Sequence, residues 1–221
     1  MESAKKEKEF TLNQVLKTEV QKNIKNHITD KVDNERIRIM TIIESYIKGL
    51  FEIVPRTFKD SRGEFVETYN EEKLKDIIPY QFVQDNQSIS KKGVFRGIHM
   101  QMGDWAQGKL VRVSSGAAID YAVDLRPDSA TFGQWDSVML TPEANNQYWV
   151  PPGFGHAFLA LEDNTTFCYK CTNLYNKESE ECIKWNDSDI YLEFLHYTGD
   201  ILVSKKDERG ITLKEFKNKH C

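Results

Sequence analysis

At 221 residues and a net charge of −4, the chain has room for one domain plus an appendage and lacks the basic footprint that nucleic acid would require. No apolar run approaches membrane-spanning length, and MESAKKEKEF lacks the apolar centre of a secretion signal, so the sequence predicts a cytoplasmic protein with no membrane partner. Its 12 Phe, 9 Tyr and 4 Trp can fill a sizeable core, and its four cysteines read as free thiols in such a compartment.

Residues 1–39 are charged and free of Gly and Pro. Leu12, Val15, Leu16, Val20, Ile24, Ile28 and Val32 predict one apolar stripe on a helix, and Thr11 to Gln14 has capping-box spacing at its start. Such a helical extension packs on its own domain, frays in solvent, or acts as an oligomerisation arm.

From Met40 onward the texture is β. QFVQDNQSI, KLVRVSSGAAIDYAVDL, WDSVMLT, NQYWVP, HAFLALE and TTFCYKCT alternate or are rich in β-branched and aromatic residues. Gly, Pro, Asn and Asp punctuate them, which predicts an all-β antiparallel sandwich or barrel of the jelly-roll type. Cys168 and Cys171 have CxxC spacing, but no second pair follows to complete a zinc site, so they read as structural thiols. No glycine-rich phosphate loop precedes a helix, so a nucleotide would be held some other way.

Two stretches carry chemistry. In GVFRGIHMQ (93–101), alternation puts Arg96, Ile98 and Met100 on one face of a strand, and Gly97, His99 and Gln101 on the other. In VPPGFGHAFLAL, Pro151 to His156 fits the PxGxxH pattern that resembles the second cupin motif, with two glycines allowing a tight turn before the His. Metal-binding cupins carry HxH and a Glu in the earlier motif. Here that stretch is His99-Met-Gln101, and no Glu follows at a suitable distance. His99 and His156 alone fall one ligand short of a catalytic metal site, so no metal is expected, and a metal-dependent cupin dioxygenase or isomerase is disfavoured.

In order along the chain, FRGIHMQ, AQGKLVRV, AVDLRPDSATFGQW, WVPPGFGHAFLAL, FCYKCTNLYNKESE and IKWND form a series that resembles the RmlC family, the dTDP-4-dehydrorhamnose 3,5-epimerases of deoxysugar biosynthesis. The resemblance runs from about Met40 to about Asp207. It implies a cupin jelly-roll epimerase domain over residues 40–221, with residues 1–39 as an added element or an upstream start. The substrate it implies is a nucleotide-linked 4-keto-6-deoxyhexose, whose C3 and C5 protons are acidified by the C4 carbonyl. Inversion then needs a base, an oxyanion stabiliser and an acid on the other face.

The resemblance assigns the base to His99, its carboxylate partner to Asp207, the oxyanion stabiliser to Lys109 and the proton donor to Tyr169. Asp120 or Asp124, in IDYAVDLR, is the alternative partner of His99. Arg96 and His156 match pyrophosphate-side contacts, and Gln101 is expected to line the same pocket. Arg62, Glu67, Gln84, Asn86, Glu180 and Lys206 match further substrate contacts, and Tyr175 matches an aromatic stacked on the nucleobase. The family implies no cofactor and a homodimer formed through a β-sheet interface. Alternatives of the same chemistry are a 3-only or 5-only epimerase or a keto-isomerase on another sugar nucleotide, such as a GDP-linked heptose. A non-catalytic sugar-nucleotide-binding cupin is the reading from another class.

Overall fold

The computed structural model describes residues 40–194 and 197–221. The helix expected over residues 1–39 lies outside that range. The described chain runs β1 Met40–Glu44, β2 Phe51–Pro55, β3 Thr57–Asp60, β4 Gly63–Val66, α1 Glu71–Leu74, β5 Gln84–Ser90, β6 Phe95–Gln101, β7 Lys109–Ser115, β8 Ala118–Asp124, β9 Trp135–Leu140, β10 Gln147–Val150, β11 Phe154–Ala160, β12 Thr165–Cys171 and β13 Glu180–Cys182. Two short helices close it, α2 Lys205–Glu208 and α3 Leu213–His220.

The strands make a six-stranded sheet ordered β1-β2-β10-β7-β12-β5, a five-stranded sheet ordered β13-β6-β11-β8-β9, and the separate hairpin β3-β4. Strands adjacent in space but distant in sequence, such as β2 beside β10 and β6 beside β11, are the crossovers of a jelly roll. The two large sheets face each other. Val111, Val113 and Phe167 of the larger meet Ala118, Ala122, Phe154 and Phe158 of the smaller in one buried cluster. Phe158 and Phe167 stack at 4.0 Å between ring centroids.

Strict alternation holds on β12, where Phe167, Tyr169 and Cys171 face inward as the sequence predicts. It fails on β8 and β11, which are buried at every position. The chain after β13 is the reason. Ile183, Ile190, Leu192, Leu213 and Phe216 lie over the outer face of the smaller sheet and cover Ile98, Met100, Tyr121, Val123 and Leu159. A sheet covered on both sides needs apolar residues on both faces. The tail segment that pattern alone leaves mixed is thus a second layer of core, and its course over the sheet carries Asp207 to the rim of the cavity.

The two glycines of PPGFGH do different jobs. Gly153 turns the chain between β10 and β11 at φ +91°. Gly155 lies inside β11, where a Cβ would stand 2.5 Å from Ile98 Cγ2, so its role is close packing of neighbouring strands.

Candidate active site

The alternation expected for FRGIHMQ is broken by a β-bulge. Between the pairs His156–His99 and Phe158–Arg96, β11 advances two residues and β6 advances three. The extra residue reverses the parity of the strand, so Arg96 joins His99 on the cavity side while Phe95, Ile98 and Met100 turn into core. Gly97 makes this possible. Its φ is +139°, and a Cβ there would stand 2.3 Å from Ala157 Cβ.

The cavity has a volume of about 500 Å³, and its wall includes Arg96, His99, Lys109, His156, Tyr169 and Asp207. His99 Nε2 lies 2.6 Å from Asp207 Oδ1. Asp207 is almost fully buried at the first turn of α2, whose cap is Ser204: the Asp207 backbone N–H donates to Ser204 Oγ at 3.2 Å. Burial pushes the Asp207 carboxyl up, but the His99 hydrogen bond and charge, with Ser204 and Lys206, outweigh it and hold the group below its ordinary value. The side chain is therefore a carboxylate that can hold an imidazole and stabilise it once charged.

Lys109 opens β7, and its Nζ lies 6.0 Å from the centre of the Tyr169 ring. Burial lowers the Lys109 ammonium from its ordinary value, against the opposing pull of Cys171, Asp120 and Glu180. Burial and Cys171 raise the Tyr169 phenol, which keeps it a protonated donor at neutral pH. One cavity wall therefore holds a carboxylate-backed imidazole, a desolvated ammonium and a phenol.

A family model described as dTDP-4-dehydrorhamnose 3,5-epimerase matches residues 44–215. The chain belongs to the dTDP-4-dehydrorhamnose 3,5-epimerase family. It is 45% identical over 178 residues to the enzyme of that name from Escherichia coli K12, covering 80% of this chain and 96% of that one. The crystal structure of the Elizabethkingia anophelis NUHP1 dTDP-4-dehydrorhamnose 3,5-epimerase is similar at a TM-score of 0.76 and 42% identity, over 80% of this chain and 98% of that one. So is dTDP-6-deoxy-D-glucose-3,5-epimerase RmlC from Legionella pneumophila Philadelphia 1 in complex with dTDP-4-keto-L-rhamnose, at a TM-score of 0.76 and 40% identity, over 79% of this chain and 93% of that one.

Other residues expected at this 3,5-epimerase-type site fall into three groups. Gln84, Asn86, Tyr175, Glu180 and Lys206 form one linked chain of contacts, of which Lys206 lines the cavity. Gln84 Oε1 accepts from the Tyr175 N–H at 2.9 Å, and Gln84 Nε2 donates to Asn86 Oδ1 at 3.1 Å. Tyr175 OH donates to Glu180 Oε2 at 3.2 Å, and Glu180 pairs with Lys206 at 2.5 Å. The Tyr175 ring is exposed.

The second group is His156 and the two alternative aspartates. His156 Nε2 lies 2.7 Å from Asp120 Oδ2, and both side chains are buried. Burial pulls His156 down and Asp120 up. Asp124 accepts from Arg126, Ser129 and Thr131. With Asp120 and Asp124 so engaged, Asp207 is the carboxylate beside His99.

The third group is Arg62 and Glu67, which do not line this cavity. Arg62 pairs with Asp60 in the exposed β3-β4 hairpin, and Glu67 pairs with Lys73. Gln101 also departs from expectation. Its amide is used up in holding two loops, donating to the Trp105 and Leu174 carbonyls at 2.7 and 3.1 Å and accepting from the Asn176 N–H at 2.7 Å.

Two features of the epimerase-type site escaped the sequence reading. Ser204 is one, and the Ser204-x-x-Asp207 spacing of a helix start was its available signal. Cys182 is the other. It lies directly across from His99 in the β13–β6 pairing, which only the fold reveals.

Proposed function

We propose that this protein inverts C3 and C5 of dTDP-4-dehydro-6-deoxyglucose by proton abstraction and return through an enolate. The reading rests on one observation: His99 with its Asp207 carboxylate, Lys109 and Tyr169 all face a single cavity of about 500 Å³. With Nε2 bonded to Asp207, Nδ1 of His99 is the nitrogen free to take a proton. The imidazolium formed is stabilised by the Asp207 carboxylate. Lys109 meets the charge that develops on the C4 oxygen in a site poor in water. Tyr169 gives a proton to the carbon from the other side, and a second round treats the second carbon. Arg96 and His156, both in the cavity wall, receive the diphosphate, and Tyr175 stacks on the base. No metal or cofactor enters any step.

We also assign the protein to the cytoplasm; among the described residues no helix is long and apolar enough to cross a membrane. We assign the epimerase unit to residues 40–221, with residues 1–39 an appendage. Protein lacking residues 1–39 is expected to keep near-normal turnover; a folded but inactive truncation refutes that division. The working form is proposed to be a homodimer. Phe58 and Phe65 are exposed on the β3-β4 hairpin, and the same hairpin holds Arg62 away from its own cavity. A second copy would bring Arg62 to the site that lacks it.

The test is solvent deuterium uptake at C3 and C5, read by NMR alongside product formation. His99→Asn is expected to abolish both exchange and inversion. Tyr169→Phe is expected to keep exchange with retained configuration while inversion falls by about 10²–10⁴-fold. Lys109→Ala slows both together. Rapid exchange in His99→Asn overturns the assignment of the base, and exchange at one carbon alone makes the protein a mono-epimerase.

A further inference from the structure

We propose that His99, Cys182 and Asp207 form a site for a soft divalent cation such as Zn²⁺, and that the ion acts there as an inhibitor. The inhibitory half of the inference rests on His99 being the base; the binding half does not.

The site follows from strand register. Ile98 and Ile183 exchange both of their backbone hydrogen bonds, N–H of one to carbonyl of the other, at 3.3 and 2.9 Å. The next pair, His99 and Cys182, therefore sits in the non-hydrogen-bonded register, where facing side chains come closest. Asp207 completes the group from α2. Cys182 Sγ is 3.9 Å from Asp207 Oδ1, Asp207 Oδ1 is 2.6 Å from His99 Nε2, and the donor atoms of all three lie within 4.8 Å of one another.

A tetrahedral zinc with one sulfur, one nitrogen and one oxygen ligand needs donor–donor distances of about 3.3–3.6 Å. Small side-chain rotations reach that geometry: the sulfur closes in, and the imidazole and carboxylate part. A thiolate with an imidazole selects zinc or cobalt over magnesium and calcium, which seek oxygen. The nearest other charges, Lys206 and Glu180, are paired with each other and largely cancel.

The balance is simple. The Cys182 thiol loses its proton to solvent, and the carboxylate and thiolate neutralise the ion. The metal takes the Nε2 lone pair, and the ring's one proton moves to Nδ1. A neutral imidazole protonated at Nδ1 has no lone pair to offer a sugar C–H. Zinc would thus convert the base into a donor without touching Lys109 or Tyr169. Burial and Asp207 push the Cys182 thiol up to about 12, so the thiol is protonated when no metal is bound.

The test uses full-length, chelator-treated protein titrated with Co²⁺ and, separately, Zn²⁺. Thiolate-to-cobalt charge-transfer absorption is expected in the wild type and in the control Cys168→Ser, and absent from Cys182→Ser and Cys182→Ala. Either Cys182 variant serves if the other fails to fold. In turnover assays, with each protein scaled to its own metal-free rate, the Cys182 variants are expected to need at least tenfold more Zn²⁺ for half-inhibition than the wild type. A cobalt–thiolate band that persists without Cys182, or never forms in the wild type, overturns the site. Equal zinc sensitivity in wild type and variants overturns the inhibition. Protein with no epimerase activity in any form would fail the functional reading while the cobalt spectrum still decides the site.

Discussion

Asp124 and Asp207 are both aspartates that hydrogen bonds hold below their ordinary value, yet they do unlike work. Asp207 keeps one strong partner, His99, and faces the cavity. Asp124 is fully buried and accepts from Arg126 through two nitrogens, at 2.8 and 2.7 Å, and from the Ser129 and Thr131 hydroxyls at 2.5 and 2.6 Å. Burial pushes the Asp124 carboxyl up, and these bonds more than reverse it, to about 2. A carboxyl whose folded value lies below its unfolded one stabilises the fold above the unfolded value and loses that contribution as pH falls through the folded one. Asp124→Asn is therefore expected to cost on the order of 2 kcal/mol at neutral pH. Thermal unfolding at a series of pH values checks it. The gap between wild type and variant should be constant above pH ~4 and shrink toward pH ~2. A gap that does not change over that range would show that Asp124 contributes shape rather than charge.

At the scale of elements, α2 is a single turn held by one cap. Ser204→Ala removes that cap, at a cost of about 1 kcal/mol. The same turn aims Asp207 at His99, so a small shift matters more to chemistry than to stability. Turnover is expected to fall between several-fold and about 10²-fold with KM little changed, read from steady-state kinetics beside a melting curve. Unchanged kcat would mean that packing of the tail alone positions Asp207. The strands from β5 to β12 were legible because β-branched and aromatic runs, alternation where one face is exposed, and turn residues are all local signals, even though β8 and β11 are buried on both faces. The bulge in β6 was not. Alternation counts residues within one strand, whereas the parity of FRGIHMQ is set by how β11 pairs with it and by the one position, Gly97, that has no Cβ to collide with Ala157. The resemblance assigned Arg96 and His99 to one pocket while alternation put them on opposite faces. The extra residue reconciles the two. The fate of Gln101 was hidden for the same kind of reason: its partners, Trp105, Leu174 and Asn176, belong to loops that only the fold brings together.

For the whole molecule, the proposed homodimer and the separation of Arg62 from its own cavity lead to a test by mixing. Arg62→Ala and His99→Asn are each expected to be weak or inactive alone. Unfolded and refolded together, they should recover about a quarter of wild-type activity, because half the dimers are mixed and one of two sites in each has both native residues. Absence of recovery in a verified mixed dimer would mean that each chain's site is self-contained. The site also spans a long stretch of chain. His99 and its carboxylate are 108 residues apart. At ribosomal speeds of about 5–20 residues per second, the carboxylate emerges roughly 5 to 20 s after the imidazole. During that interval a nascent chain can pair β6 with β11 and already carry Arg96, His99, Lys109 and Tyr169, while the imidazole has nothing to hold its tautomer. Competence for proton transfer thus arrives with one of the last parts of the described chain to be synthesised.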